Sequence, residues 1–152
     1  MRAESTEGRA EVVVQRWIAA SPDTVFSFFT DGDRWAAWQG VAAEVDARPG
    51  GALRVVMPDA AVAAGEFLEV VQPVRITFTW GWHGNDIPLP PGSSSVTIEL
   101  RQADGGTMLK LTHAGLPPDL RDLHEMGWQR YLGRLALRAT GGNPGPDGYE
   151  PA

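Results

Sequence analysis

Three histidines and a few carboxylates are the residues of this chain whose chemistry could move protons. His113 closes a strand-like run that places Leu109, Leu111 and His113 on one face. His124 lies four residues before Trp128 on a stretch with helical spacing. Imidazole titrates near neutral pH, so either ring beside Glu66, Glu69 or Glu125 could serve as a general acid or base. The competing reading is a hydrogen-bonded structural histidine. His83, His113 and His124 lack metal-ligand spacing and the chain has no cysteine, so neither a metal nor a thiol nucleophile is expected. Phosphate loops, dinucleotide fingerprints and nucleophile elbows are also missing from the sequence, so no cofactor and no catalytic residue is assigned.

The aromatic residues carry the stronger signal. Thr77 to Trp82 alternates polar with large aromatic residues, the pattern of a half-buried strand, and places Ile76, Phe78, Trp80 and Trp82 on one face. Two tryptophans on one face need a large apolar volume, either a packed core or a ligand pocket. Trp128 on the long C-terminal helix is positioned to close the same volume. Trp35 and Trp38 belong to a short second helix. Six tryptophans in 152 residues favour the pocket.

The elements that must hold these residues follow from hydrophobic period and turn chemistry. A valine-rich strand over Glu11 to Ala19 precedes Ser21-Pro22-Asp23, which supplies an N-cap, a first-turn proline and an acid at the positive end of a helix dipole. Asp31-Gly32-Asp33 interrupts that helix, and Arg34 to Trp38 forms a second. Strands are predicted over Val41 to Ala47, Leu53 to Met57, Val62 to Val71 with a bulge, Arg75 to Trp82, Ser95 to Arg101 and Thr107 to His113. His83 to Ser94 reads as a loop and Asp104-Gly105-Gly106 as a hairpin turn. Asp119 to Thr140 is the longest helix, stopped by Gly141-Gly142. Short connections imply antiparallel pairing, and one amphipathic helix must cover the apolar face of the sheet. The fold class is α+β, a helix-grip in which a curved antiparallel sheet of about six to seven strands wraps a long C-terminal helix, with one or two short helices after the first strand. The domain spans 11–140, between an N-terminal tail, 1–10, and a C-terminal tail, 141–152, flexible or draped on the surface.

Composition bounds the function. Formal net charge is -6 and no basic cluster occurs, which argues against nucleic-acid and anionic-membrane partners. No segment reaches the length of a membrane span and the N-terminus carries no apolar signal core, so the cytoplasm is the expected location.

Several ordered blocks resemble a known family. They are Ala20-Ser21-Pro22-Asp23-Thr24-Val25-Phe26, Pro49-Gly50-Gly51, Gly65-Glu66-Phe67-Leu68-Glu69-Val70, Arg75-Ile76-Thr77-Phe78-Thr79-Trp80, Gly106-Thr107, Leu111-Thr112-His113, Gly115-Leu116-Pro117 and Gly127-Trp128. The chain resembles the helix-grip superfamily of lipid-transfer (START), birch-pollen-allergen and polyketide-cyclase domains, and within it the branch named for the activator of the heat-shock protein 90 ATPase. The resemblance implies a cavity between sheet and helix, with the short helix that carries Trp35 and Trp38 at its mouth. The leading reading is a domain that binds a hydrophobic small molecule there, through Trp35, Trp38, Met57, Phe78 and Trp80 and through Trp82, His113, His124, Trp128 and Leu132. The alternatives are a polyketide cyclase or aromatase-like enzyme, and a co-chaperone-type interaction module. A homodimer and a chaperone are the further partners this reading carries.

Overall fold

The computed structural model describes residues 9–148. Seven antiparallel strands form one sheet in the order β1-β7-β6-β5-β4-β3-β2. They are β1 Ala10–Ile18, β2 Ala42–Val45, β3 Ala52–Val56, β4 Val62–Val71, β5 Arg75–His83, β6 Ser94–Ala103 and β7 Gly106–Leu116. The helices are α1 Pro22–Ser27, α2 Gly32–Ala36 and α3 Arg121–Ala139, the last preceded by a 3-10 turn at Pro118–Leu120. This is the helix-grip arrangement expected from the sequence. The first and last strands in space, β1 and β2, flank the two short helices in the chain.

Local chemistry explains the boundaries. Ser21 caps α1, its hydroxyl oxygen accepting from the Thr24 amide at 3.2 Å. Asp31 caps α2 in the same way, accepting from the Arg34 amide at 2.9 Å. Asp31-Gly32-Asp33 therefore starts the second helix, and that helix ends at Ala36 rather than Trp38. Phe28 and Phe29 lie beyond the end of α1 but are buried all the same. Strand β4 carries the expected bulge, where the register with β5 shifts between Phe67 and Glu69. Strand β7 runs three residues past His113, to Leu116.

One face of the sheet is apolar. A row across it reads Val12, His113, Val96, Phe78 and Phe67, each residue the cross-strand partner of the next. Helix α3 crosses this face and lies closest to β1. Toward β3–β5 a wedge opens between helix and sheet, and aromatic rings fill it. Phe29, Trp35 and Trp38 pack on one another at 5.3–5.5 Å between ring centroids, and Trp35 meets Phe78 at 5.5 Å.

The far end of α3 is tied down by its arginines. Arg134 Nε donates to the Trp38 carbonyl at 3.0 Å and Arg138 Nε to the Ala37 carbonyl at 3.1 Å. These are carbonyls that the end of α2 leaves open. Arg134 also donates to the Gly145 carbonyl at 2.8 Å, which holds the chain after α3 against the domain. Further along that segment lies the buried Asp147. Its carboxylate accepts from the Gly40 amide and from the Tyr131 hydroxyl, both at 2.8 Å, and from Arg130 at 3.4 Å. Arg134 and Asp147 thus anchor the segment after α3 against the domain. Tail residues 1–8 and 149–152 lie outside the described residues.

Removing the Asp147 carboxylate takes away the acceptor that the Gly40 amide and the Tyr131 hydroxyl share. We expect Asp147→Ala to lower stability by about 3 kcal/mol, the scale of breaking a buried charged network. Urea unfolding of parent and variant measures this. Equal midpoints would show that the strap contributes nothing to the fold.

Candidate functional site

A cavity lies where α3 crosses the β5 end of the wedge. Strand β5 contributes Trp80 and Trp82, and α3 contributes Leu123, His124, Gly127, Trp128 and Tyr131. The β3–β4 turn adds Met57, Pro58, Asp59 and Ala61, the loop after β5 adds Asn85 and Ile87, and Gln39 closes the side next to α2. The interior holds about 50 Å³ for the centres of water-sized spheres, within a recess of about 590 Å³ that includes the open mouth. The smaller figure is room for a few waters. A ligand of ordinary drug size needs the rim to move outward.

Glycines shape the site at two positions. A Cβ at Gly81 would overlap the Pro90 carbonyl, so this glycine lets the loop over 84–93 fold back across β5. The Trp82 amide then donates to the Leu89 carbonyl at 2.7 Å, which sets Asn85 and Ile87 on the rim. Gly127 differs, because a Cβ there would meet nothing within 4 Å. A glycine in mid-helix costs about 1 kcal/mol against alanine. No close approach demands one here, and what its missing side chain leaves is space.

The two buried histidines are fully engaged. His113 Nδ1 accepts from the Trp128 indole N–H at 3.0 Å. Its Nε2 therefore carries the proton and donates to Ser94 Oγ at 2.8 Å, while Ser94 donates to the Trp80 carbonyl at 2.7 Å. His124 holds the opposite tautomer. Its Nδ1–H donates to the Leu120 carbonyl at 2.8 Å, and Nε2 accepts from the Trp82 indole N–H at 3.1 Å. Burial pushes His113 down to about 3, with the neighbouring His124 adding to the shift. Burial lowers His124 as well, against the opposing pull of its bond to Leu120.

None of the acids paired with these rings in the sequence reading reaches them. Glu69 lies 4.0 Å from Arg75 with about half its side chain exposed, and Glu125 bonds Arg121 at 2.6 Å. Glu66 is exposed, with its amide on Thr79. The cause is parity: strand and helix positions that point inward carry aromatic and imidazole groups, and the acids fall on the other faces.

Of the residues singled out as pocket lining, Met57, Trp80, Trp82, His124 and Trp128 line the cavity. Phe78, His113 and Leu132 are fully buried in the packing behind it. Trp35 and Trp38 are also fully buried, stacked at 5.3 Å, and do not border the mouth. Their indoles are spent inward, Trp35 on Gln39 Oε1 at 2.9 Å and Trp38 on the Phe28 carbonyl at 3.1 Å. Sequence reasoning missed Gln39, Tyr131, Leu123, Gly127 and the turn residues of the rim. Leu123, Gly127 and Tyr131 lie at helical spacing around His124 and Trp128, a signal that was present. Gln39 and the turns carried none, because they arrive through tertiary placement of loops. Among the described residues no group of three His, Cys, Asp or Glu side chains is arranged to hold a metal. None of their helices is long and apolar enough to cross a membrane.

Comparison with known proteins places this geometry among relatives. A family model described as Activator of Hsp90 ATPase homolog 1-like protein matches residues 19–139. The AHSA1-like protein RHE_CH02687 from Rhizobium etli is 41% identical, with a TM-score of 0.69 over 93% of this chain and 89% of that one. DynU16, a protein of the dynemicin biosynthetic locus, is 26% identical with a TM-score of 0.76, over 88% of this chain and 48% of its own. The Aha1 dimer from Colwellia psychrerythraea shares the fold at 16% identity and a TM-score of 0.74, over 88% of this chain and 98% of that one. A search of curated proteins finds no match.

The histidine tautomers carry a pH consequence. In the unfolded chain both rings take a proton near 6.5, whereas the folded protein holds His113 neutral to about 3. The unfolded state therefore binds more protons below 6.5. The stability due to neutral His113 is complete above that pH and is lost as pH falls, at about 1.4 kcal/mol per unit until 3 is approached. Nitrogen-15 spectra of the imidazoles should show Nε2–H at His113, unchanged from pH 7.5 to 5, and Nδ1–H at His124 at neutral pH. A His113 ring that titrates near 6.5 in the folded protein would overturn this assignment.

Proposed function

This chain belongs to the Activator of Hsp90 ATPase homolog 1-like family, and we propose that it is a small cytoplasmic domain binding an apolar or aromatic small molecule between sheet and α3. The observation that carries the reading is Gly127. A helix that needed only to cover the sheet would gain from a side chain there, yet the position faces open space beside Trp80, Trp82 and Trp128. Aromatic walls of this kind bury large area against a planar guest and lose little rotamer freedom in doing so. The described lining of the cavity comes from a single chain. DynU16, from a biosynthetic locus, supports a small-molecule setting for relatives of this fold.

A cyclase-like enzyme would need a group that takes or gives a proton. Both histidines at the site are neutral and have each ring nitrogen in a hydrogen bond. These bonds favour a binding role for the cavity, with the histidines holding its walls in place.

Filling the space left by Gly127 tests the reading without breaking a contact. Gly127→Leu should keep or raise the melting temperature, since leucine is the better helix former by about 0.8 kcal/mol. It should also abolish the change in tryptophan emission that aromatic hydrocarbons cause in the parent. If the parent binds no member of such a panel, or if Gly127→Leu binds as the parent does, the cavity is not a ligand site.

A further inference from the structure

Five of the six indole N–H groups have an acceptor. Trp17 donates to the Ala103 carbonyl at 2.8 Å, Trp35 to Gln39, Trp38 to Phe28, Trp82 to His124 and Trp128 to His113. Trp80 does not. Its Nε1 is the one buried side-chain nitrogen or oxygen among the described residues that lacks a hydrogen-bond partner. Trp80 is 1% exposed and forms part of the cavity wall. A buried N–H without an acceptor is costly, and native structures rarely keep one without a use.

The surrounding groups narrow what that use is. Asp59 Oδ1 accepts from the Ala61 amide and Asn85 Oδ1 from the Ile87 amide, each at 3.1 Å, so both are committed to their own turns. Gln39 Oε1 holds Trp35 and the Tyr131 hydroxyl donates to Asp147. Among the described residues no Lys or Arg lines the cavity, and burial lowers the proton affinity of His124. The one carboxylate on the rim among those residues is Asp59. A buried anion would find no countercharge here, and burying an unpaired charge is far more costly than burying a neutral acceptor.

We propose that the Trp80 indole N–H is the polar recognition element of the cavity, and that its ligand is an uncharged aromatic or alicyclic molecule bearing one hydrogen-bond acceptor, a ketone, aldehyde or ester oxygen. This inference rests on the binding role assigned to the cavity and adds the ligand's chemical class. It separates neutral carbonyl compounds from plain hydrocarbons, which leave the N–H unmet, and from carboxylates, which bring an unpaired charge.

Acetophenone, ethylbenzene and benzoate have similar size and test the three classes. The parent should bind acetophenone about tenfold more tightly than ethylbenzene in calorimetric titration, the scale of one buried hydrogen bond. It should bind benzoate more weakly than either. Trp80→Phe keeps an aromatic ring and removes the N–H, so ketone and hydrocarbon should then bind equally. Should that variant fail to fold, the parent alone decides. The Trp80 indole proton resonance should move downfield with acetophenone and not with ethylbenzene. Equal affinity for ketone and hydrocarbon in the parent, or a Trp80 proton indifferent to acetophenone, overturns the proposal while leaving hydrophobe binding intact. Failure of all three probes to bind overturns both.

Discussion

The need of each buried indole N–H for an acceptor organises this domain. Large aromatic side chains fill the wedge between a curved sheet and a helix, but tryptophan brings a donor with its bulk. Each donor met is also a positional lock. Trp38 on the Phe28 carbonyl ties α2 to the end of α1, and Trp35 on Gln39 sets an amide at the edge of the cavity. Trp128 on His113 joins helix to sheet at β7, and Trp82 on His124 joins them at β5. Apolar packing alone would allow α3 to slide. Two directed bonds, each from an indole to an imidazole, fix its register over the strands.

That register leaves room at one end only. Near β1 the helix lies close, and the space under it is filled. Toward β3–β5 the gap widens past what the tryptophans occupy, and Gly127 leaves it unfilled. The rim is made of the β3–β4 turn and the loop over 84–93, neither of them held within the sheet's ladder. Loops of this kind open at lower free energy than strands. Rigid walls with a loop-built mouth let a guest larger than the resting interior enter without disturbing the sheet.

Much of the fold was legible because its signals are local. Alternation marked β5 and β6, Ser21-Pro22 marked the start of α1, and the spacing from Leu120 to Leu137 marked α3. The role of Asp31 was not legible, because Asp-Gly-Asp suits a helix break and a helix cap equally well. Its neighbours in space and the residues after it decide between the two. The site was half legible. Parity put Trp80 and Trp82 on the inner face, and helical spacing put His124 and Trp128 opposite them. Whether an inward aromatic borders a void or another ring is a matter of how far helix and sheet stand apart, and no residue encodes that separation. Trp35, Trp38 and Trp80 look alike in the chain, yet of these three only Trp80 touches the cavity. The strap closed by Asp147 was harder to see. A Gly- and Pro-rich stretch reads as loose until a buried amide and phenol are found waiting for its carboxylate.

The crowding of rings in the wedge has an optical consequence. Trp80 lies 5.1 Å from Trp128 and 5.8 Å from Trp82, measured between ring centroids, in tilted and edge-on orientations. Indole transitions at such separations do not absorb independently. They couple into delocalised excited states whose rotational strength depends on the angles between rings. The near-ultraviolet circular dichroism of this protein therefore carries the signature of this chiral triad beside that of the stacked Trp35–Trp38 pair. A rotation of any of the three rings registers there directly, with no label attached.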